Sequence, residues 1–383
     1  MPSHGLNPSF WSGRRVFVTG HTGFMGGWLT LMLARMGARV SGYALPPPTH
    51  PNLFTAAGVD GACRTVIGDV RDAQALSRAL TDAEPEVVLH LAAQPLVRLA
   101  HAEPVETYAT NVMGTVHLLD AVRRVPSVKA VVAVTTDKVY ENREWTWGYR
   151  ETDLLGGREP YGNSKACAEF VVNAYRHSYF SARSKTGFAQ TGIATVRAGN
   201  IIGGGDWAID RLVPDAVRAF AANKTLKIRH PEAVRPFQHV LDPVYGMALL
   251  AERLATDPEE WAGGWNFGPP EDDTRAVGWM ADRLAELWGP AARWHAEPST
   301  GPHEARLLVL SSAQARARLR WQPAWNAEAA IARTVEWYRT FYDGADVGLL
   351  TRAQITQHEA ALAVVSVGKT HDSQASAQAK PAA

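Results

Sequence analysis

Tyr161 and Lys165 stand four residues apart at the start of a stretch, 161–180, whose pattern predicts a helix. Side chains at that spacing rise from one helix face. An ammonium beside a phenol favours the phenolate. A tyrosine so placed can take the proton of a hydroxyl while hydride leaves the same carbon. A surface Tyr and Lys on any helix would have the same spacing, so the pair needs support from elsewhere. Thr136, Asp137 and Lys138 follow a β-branched run over 128–135. A carboxyl and an amine side by side offer an acid and a base for a second chemical step. The plainer alternative is a solvated ion pair in a turn. Gly20, Gly23 and Gly26 form a third group, directly after a strand-like run and opening a helical pattern. The first glycine permits a sharp turn, the second a close approach to a pyrophosphate, and the third close packing of the helix on the sheet. The N–H groups at the helix start, with the helix dipole, favour phosphate charge. Thr22, Phe24 and Met25 share that loop.

These residues need a frame. Short β-branched runs at 15–19, 39–43, 65–68, 86–90, 128–135 and 193–196 alternate with helical patterns at 23–36, 73–81, 105–124 and 161–180. Such alternation predicts an α/β chain with a doubly wound parallel sheet of Rossmann type. Ligands in these sheets bind outside the carboxyl ends of the strands, which is where Thr136–Lys138 and the glycine loop fall. Residues 1–200 are expected to form the dinucleotide-binding domain, with later returns to the sheet near 237–268. Residues 201–366 are expected to be mainly a smaller substrate-binding cap. The stretch 367–383, rich in Ser, Ala, Gln and Lys, reads as a flexible tail.

The bulk chemistry excludes several classes. With 39 Lys and Arg against 38 Asp and Glu, the net charge of +1 gives no field for nucleic acid or for a membrane surface. No apolar run reaches the roughly 18 residues of a membrane helix, and no signal peptide is visible. The expectation is a cytoplasmic protein. Cys63 and Cys167 make neither a disulfide framework nor a metal cage and read as small buried groups. The cofactor's ribose is harder to read. The second strand ends Tyr43-Ala44-Leu45, without the carboxylate that would bind an NAD ribose and without an arginine for the phosphate of NADP. Asp69, after the third strand, is placed to meet the adenine. Its alternative is a helix cap before Ala73.

Taken together, the chain resembles the extended short-chain dehydrogenase/reductase superfamily and, within it, the CDP-glucose branch of the hexose 4,6-dehydratases. The resemblance runs from about Phe10 to Gly268, and more weakly to Tyr342. It is carried by Val18-Thr19-Gly20-His21-Thr22-Gly23-Phe24, His90-Leu91-Ala92-Ala93-Gln94-Pro95, Thr135-Thr136-Asp137-Lys138, and Asn200-Ile201-Ile202-Gly203-Gly204-Gly205-Asp206-Trp207. Related dehydratases commonly carry a glutamate in place of Lys138. Met25, Val139 and Gly162 depart from the pattern, standing where lysine, cysteine and serine are common.

The resemblance implies NAD as cofactor, with NADP not excluded, a CDP-linked hexose as substrate, and a homodimer or homotetramer paired through helices over 105–124 and 161–180. It implies oxidation at carbon 4 with Tyr161 as base and hydride passing to NAD. Elimination across carbons 5 and 6 follows, with Lys138 as base and Asp137 as acid, and hydride then returns to carbon 6. Val70, Leu91, Ala92 and Ala93 would line the cofactor site, while Gln94, Asn111, Asn200, Arg211 and Arg235 would face the substrate. Thr136 would bond the sugar near carbon 4. For Arg235 a surface ion pair is the alternative, and for Asn111 a polar contact within its helix. His21 touches the cofactor or lies on the loop surface. Trp145, Trp147 and Tyr149 form either a site wall or simple packing. Two other functions stay open: a sugar-nucleotide epimerase, which needs no Asp137–Lys138 pair, and a dinucleotide-sensing regulator, which needs no intact Tyr161 and Lys165.

Overall fold

The computed structural model describes residues 5–181, 191–297 and 305–378. Its centre is a sheet of seven strands: β1 (Arg15–Thr19), β2 (Arg39–Ala44), β3 (Arg64–Ile67), β4 (Val87–His90), β5 (Ala130–Val134), β6 (Gly192–Ala198) and β7 (Gly263–Phe267). Every neighbouring pair is parallel, and the order is β7-β6-β5-β4-β1-β2-β3. β4 and β6 are buried along their whole length, as strands covered by helices on both faces must be. The chain leaves β1 toward β2 and β3, then crosses to β4 on the other side. The crevice outside the ends of β1 and β4 is therefore the switch point where such sheets bind ligands.

Thr19 and His90 close the floor of that crevice. Thr19 Oγ1 lies 2.7 Å from His90 Nδ1 and accepts from the Leu91 and Ala92 N–H groups at 3.1 Å. His90 Nε2 lies 3.3 Å from Thr115 Oγ1, which donates to the Asn111 carbonyl at 2.7 Å. Burial pulls the His90 imidazole down to about 3, and the Lys165 ammonium adds to that shift.

The helices follow from their residues. Helix α1 (Phe24–Arg35) is apolar nearly all round and buries Trp28, Leu29, Leu31 and Leu33. Helix α2 (Ala73–Ala83) starts on Asp72, whose carboxylate accepts from the Gln74 and Ala75 N–H groups, and it buries Leu76 and Leu80. Asp72, rather than Asp69, is thus the cap. The stretch 105–124, read from sequence as one helix, comes in three pieces: Pro104–Tyr108, a π-helical turn at Ala109–Met113, and helix α3 (Gly114–Val122). The wider turn aims Asn111 inward, where its amide is bonded on both sides. Helix α4 (Pro160–Tyr179) begins on Glu159, which accepts from the N–H groups of Tyr161 and Gly162, each at 2.7 Å.

Beyond residue 200 the chain stays joined to the sheet. Helix α5 (Leu241–Thr256) is buried over most of its length. A single apolar cluster links Val18, Leu89 and Val132 of the sheet with Leu250, Trp321 and Trp337. Short two-stranded pairs, such as Val234–Arg235 with Arg275–Ala276, also lie in this later part of the chain. Helices α6 (Ala327–Tyr342) and α7 (Val347–Gln378) end the described chain. The α7 backbone runs helical through most of the stretch whose composition reads as a tail. Lys369, Gln374, Ala375, Ala377 and Gln378 are good helix formers within it. Residues 379–383 lie outside the described residues. His358 of α7 reaches Asp242 of α5 at 2.8 Å, with both side chains buried.

His21 does not lie on the surface of the glycine loop. It is fully buried beneath Gly42, and its Nε2 meets Thr65 Oγ1 at 3.1 Å. Burial pulls the imidazole down to about 4. A Cβ on Gly42 would stand 2.2 Å from the ring. Gly42→Ala should therefore destabilise the protein by about 1–3 kcal/mol through overpacking. Adding His21→Ala should return part of that loss. Denaturant midpoints of the two single variants and the double variant measure this coupling, and additive losses would reject it.

Candidate active site

The glycine turn has the geometry of a phosphate cradle. Gly20 has φ +77°, and a Cβ there would stand 2.8 Å from Ala92 N. A Cβ on Gly26 would fall 2.1 Å from the Gly20 carbonyl oxygen. The third glycine thus lets α1 press on the turn itself. Gly23 precedes α1 with no side-chain bond to its leading N–H groups. An uncapped helix start at the switch crevice suits a pyrophosphate, so these residues fit a dinucleotide. Thr22 donates to the Leu45 carbonyl at 2.8 Å and pins the turn to the end of β2. Phe24, Met25, Leu91 and Ala93 are half-buried around the same crevice. Asp69 pairs with Arg71, which holds its carboxyl below the usual range, and its carbonyl accepts from Tyr43 at 2.9 Å. Val70 is buried against Gly114.

The residues expected to carry redox and acid-base chemistry converge at the end of β5. Tyr161 is buried, and the Thr136 hydroxyl acts on its ionisation. Thr136 Oγ1 donates to Asp137 Oδ1 at 3.0 Å. Asp137 is 3% exposed, and its Oδ2 has no hydrogen-bond partner among the described residues. Lys138 is half-buried, and a Cβ at Gly162 would stand 2.7 Å from its carbonyl oxygen. A serine at position 162 would therefore crowd the Lys138 backbone.

The charge balance differs from the expected one. Lys165 Nζ donates to the Val134 carbonyl at 2.9 Å. Burial pulls its ammonium down to about 8, against the field of Glu169. The Tyr161 phenol is pushed up to about 12 by burial, while Thr136 and Arg211 pull it down. The ammonium lies against the strand end, and the Arg211 charge also favours the ionised phenol.

Of the five residues expected to face substrate, Arg211 lies where its charge reaches Tyr161, and it pairs with Asp206 at 2.8 Å. Asn200 is half-buried, and its carbonyl accepts from Gln238 N–H at 3.0 Å. The other three are taken up by the protein. Gln94 bonds Thr107 and the Leu96 carbonyl. Asn111 donates to Ser164 at 2.9 Å and to the Gln94 carbonyl at 3.0 Å, which joins the β4 loop to α4. Arg235 is buried with donors on the carbonyls of Val234 and Ala305, so it is not the surface ion pair offered as its alternative. Tyr149 is buried in a stack with Tyr140 and Trp145, whereas Trp147 is about half exposed. Cys63 and Cys167 are free and only half-buried.

Sequence reasoning missed Glu169 and Arg197, which form a buried pair at 2.8 Å. The available signal was helical spacing, because Glu169 lies eight residues after Tyr161 and four after Lys165.

Holding Lys165 charged inside the protein destabilises the fold. Its folded value of about 8 lies below the ordinary lysine value of 10.5. The penalty is fully present below about pH 8 and fades as pH rises toward 10.5, where the unfolded chain also releases the proton. Lys165→Met should raise stability by about 1–3 kcal/mol at pH 7, less at pH 10, and should abolish turnover. Unfolding curves at the two pH values test the sign, and a gain that grew with pH would contradict it.

Comparison with known proteins adds independent support. The family model described as GDP-mannose 4,6 dehydratase matches residues 17–267. A CDP-glucose 4,6-dehydratase of Salmonella typhimurium is 47% identical over 356 residues, which span 93% of this chain and 99% of the relative. A dTDP-glucose 4,6-dehydratase from Bacillus anthracis, solved in complex with NAD, shares the fold with a TM-score of 0.71 at 21% identity, covering 87% of this chain and 99% of that one. MoeE5 in complex with UDP-glucose and NAD gives a TM-score of 0.70 at 24% identity, over 85% and 99% of the two chains. With the switch-point glycine turn and the buried tyrosine and lysine already in place, these matches show that the chain belongs to the GDP-mannose 4,6 dehydratase family.

Proposed function

We propose that this protein is an NAD-dependent lyase that removes water from CDP-D-glucose to give CDP-4-keto-6-deoxy-D-glucose. The observation that carries this reading is the cluster of Tyr161, Thr136, Asp137 and Lys138 at one strand end, beside the glycine turn. The 47% identity to a CDP-glucose 4,6-dehydratase supports the choice of nucleotide.

Gly20, Gly23 and Gly26, with the start of α1, would hold the pyrophosphate of NAD. Asp69 and Val70 would flank its adenine, and Leu91, Ala92 and Ala93 would line its middle. Bound NAD supplies a hydride acceptor that later acts as donor. Tyr161 takes the proton of the hydroxyl on carbon 4, with the Arg211 charge easing its ionisation. The resulting ketone acidifies the proton on carbon 5, and Lys138 removes it. Asp137 donates a proton to the leaving hydroxyl on carbon 6. Its unpartnered buried oxygen supports that role, since a carboxyl oxygen with no protein partner is free for a ligand hydroxyl. Asn200 and Arg211 flank the nucleotide diphosphate.

We further infer a cytoplasmic homodimer. Leu99, Val105, Met113 and Phe170 are apolar and exposed on the neighbouring helical pieces around 97–113 and on α4. An exposed apolar group of this kind suits a second copy.

Incubation with CDP-, dTDP-, UDP- and GDP-linked glucose should give loss of one water from the CDP sugar alone. Turnover of another nucleotide instead would overturn the choice of substrate, and epimerisation without water loss would overturn the reaction. Lys138→Ala should keep its bound NAD and lose about 10²-fold or more in dehydration rate. A full rate in that variant would remove Lys138 as the base. Phe170→Glu should shift the protein from dimer to monomer in sedimentation.

A further inference from the structure

Helix α4 carries a third group on the stripe of Tyr161 and Lys165. Glu169 lies one turn beyond Lys165, and the proposed reaction gives it no task. Both of its oxygens are filled. Oε1 accepts from Thr135 Oγ1 at 2.6 Å and from Arg197 Nε at 2.9 Å. Oε2 accepts from Thr195 Oγ1 at 2.7 Å and from Arg197 Nη2 at 2.8 Å. The side chains of Arg197 and Glu169 are only 6% and 5% exposed. Arg197 continues outward, and its Nη1 donates to Tyr140 Oη at 2.8 Å and to the Glu151 carbonyl at 3.1 Å. Tyr140 in turn donates to Asn266 of β7 at 2.7 Å.

These bonds surround the chemistry. Thr135 directly precedes Thr136, and Tyr140 stands two residues after Lys138. The acid-base turn is therefore held at both ends by one ion pair, and that pair is anchored on the helix bearing the redox tyrosine. A buried ion pair contributes little net stability, because desolvation offsets the attraction. Apolar residues would fill the space as well, so stability alone does not account for it.

We propose that Glu169 and Arg197 are positioning residues for the reaction assigned above: the pair sets the Thr136–Lys138 turn against Tyr161, and the Glu169 carboxylate is the counter-charge of the buried Lys165 ammonium. This rests on the proposed function for its consequence in turnover, but its electrostatic half stands apart from it. The groups facing Lys165 are Glu169 on α4, His90 on β4, and the Val134 carbonyl at the end of β5. His90 is neutral at ordinary pH, so the negative charge of Glu169 is what favours the ammonium.

The test uses full-length, NAD-loaded protein with labelled lysine, and Lys165 is assigned by its loss in Lys165→Met. Glu169→Gln keeps size and shape but removes the charge. Its Lys165 signal should titrate at lower pH than in wild type. Its kcat on CDP-glucose should fall about a hundredfold, with KM within about threefold and the NAD content unchanged. A Lys165 midpoint that stays put, or a kcat loss no larger than the loss of folded protein, would overturn the proposal. Should Glu169→Gln fail to fold, the charge-free pair Glu169→Gln with Arg197→Met decides. It removes both charges of the pair, and wild-type kcat in that protein would overturn the positioning role. Absence of any turnover in wild type would remove the functional reading, while the Lys165 midpoints would still test the counter-charge.

Discussion

An ammonium shut away from water must be matched by dipoles and by opposite charge, or it will shed its proton. Lys165 lives under that constraint. It has the Val134 carbonyl at hydrogen-bond distance and the Glu169 carboxylate one helical turn away. Glu169, itself buried, must in turn be matched, and Arg197 with two threonine hydroxyls does so. Arg197 then requires acceptors of its own and finds Tyr140 and the Glu151 carbonyl. One buried cation thus propagates into a polar lattice that crosses α4, β5, β6 and β7. The turn bearing Thr136, Asp137 and Lys138 hangs from that lattice.

The other half of the site answers to a steric demand. The backbone at the end of β1 must turn away from β4 and still leave the start of α1 open. Only glycine fits at Gly20, where φ is positive and Ala92 crowds the Cβ position, and at Gly26, where the turn's own carbonyl lies in the way. The two halves meet at the crevice between β1 and β4. The phosphate cradle comes from steric necessity and the reactive cluster from electrostatic necessity, and the parallel sheet sets their separation.

What could be read in the sequence was local. The glycine turn, the Tyr161 and Lys165 spacing and the Thr136–Lys138 run are each contiguous, and their chemistry follows from helical and strand periods. Six of the seven sheet strands were visible as β-branched runs. The seventh, Gly263–Phe267, is marked by glycines and aromatics, and its place in the sheet is a matter of long-range pairing. The Glu169–Arg197 pair joins residues 28 apart on a helix and a strand, so neither partner announces the other. The resemblance implied that Gln94, Asn111 and Arg235 face a ligand. In the fold their donors also meet side-chain and backbone acceptors nearby, a demand that only the folded chain reveals. The same holds for His21, which fills space over Gly42.

The bridge between Thr19 and His90 has a polarity that its distances determine. Thr19 Oγ1 already receives two backbone N–H groups, so its own hydrogen must go to His90 Nδ1. The imidazole is therefore the Nε2–H tautomer, and it gives that hydrogen to Thr115, whose hydroxyl passes its own to the Asn111 carbonyl. Three donations run head to tail from the tip of β1 to the wide turn before α3. A second ring proton at Nδ1 would oppose the first of them. With the imidazole's ionisation pushed to about pH 3, the relay keeps one sense throughout the working range, and the floor of the crevice behaves as a fixed dipole.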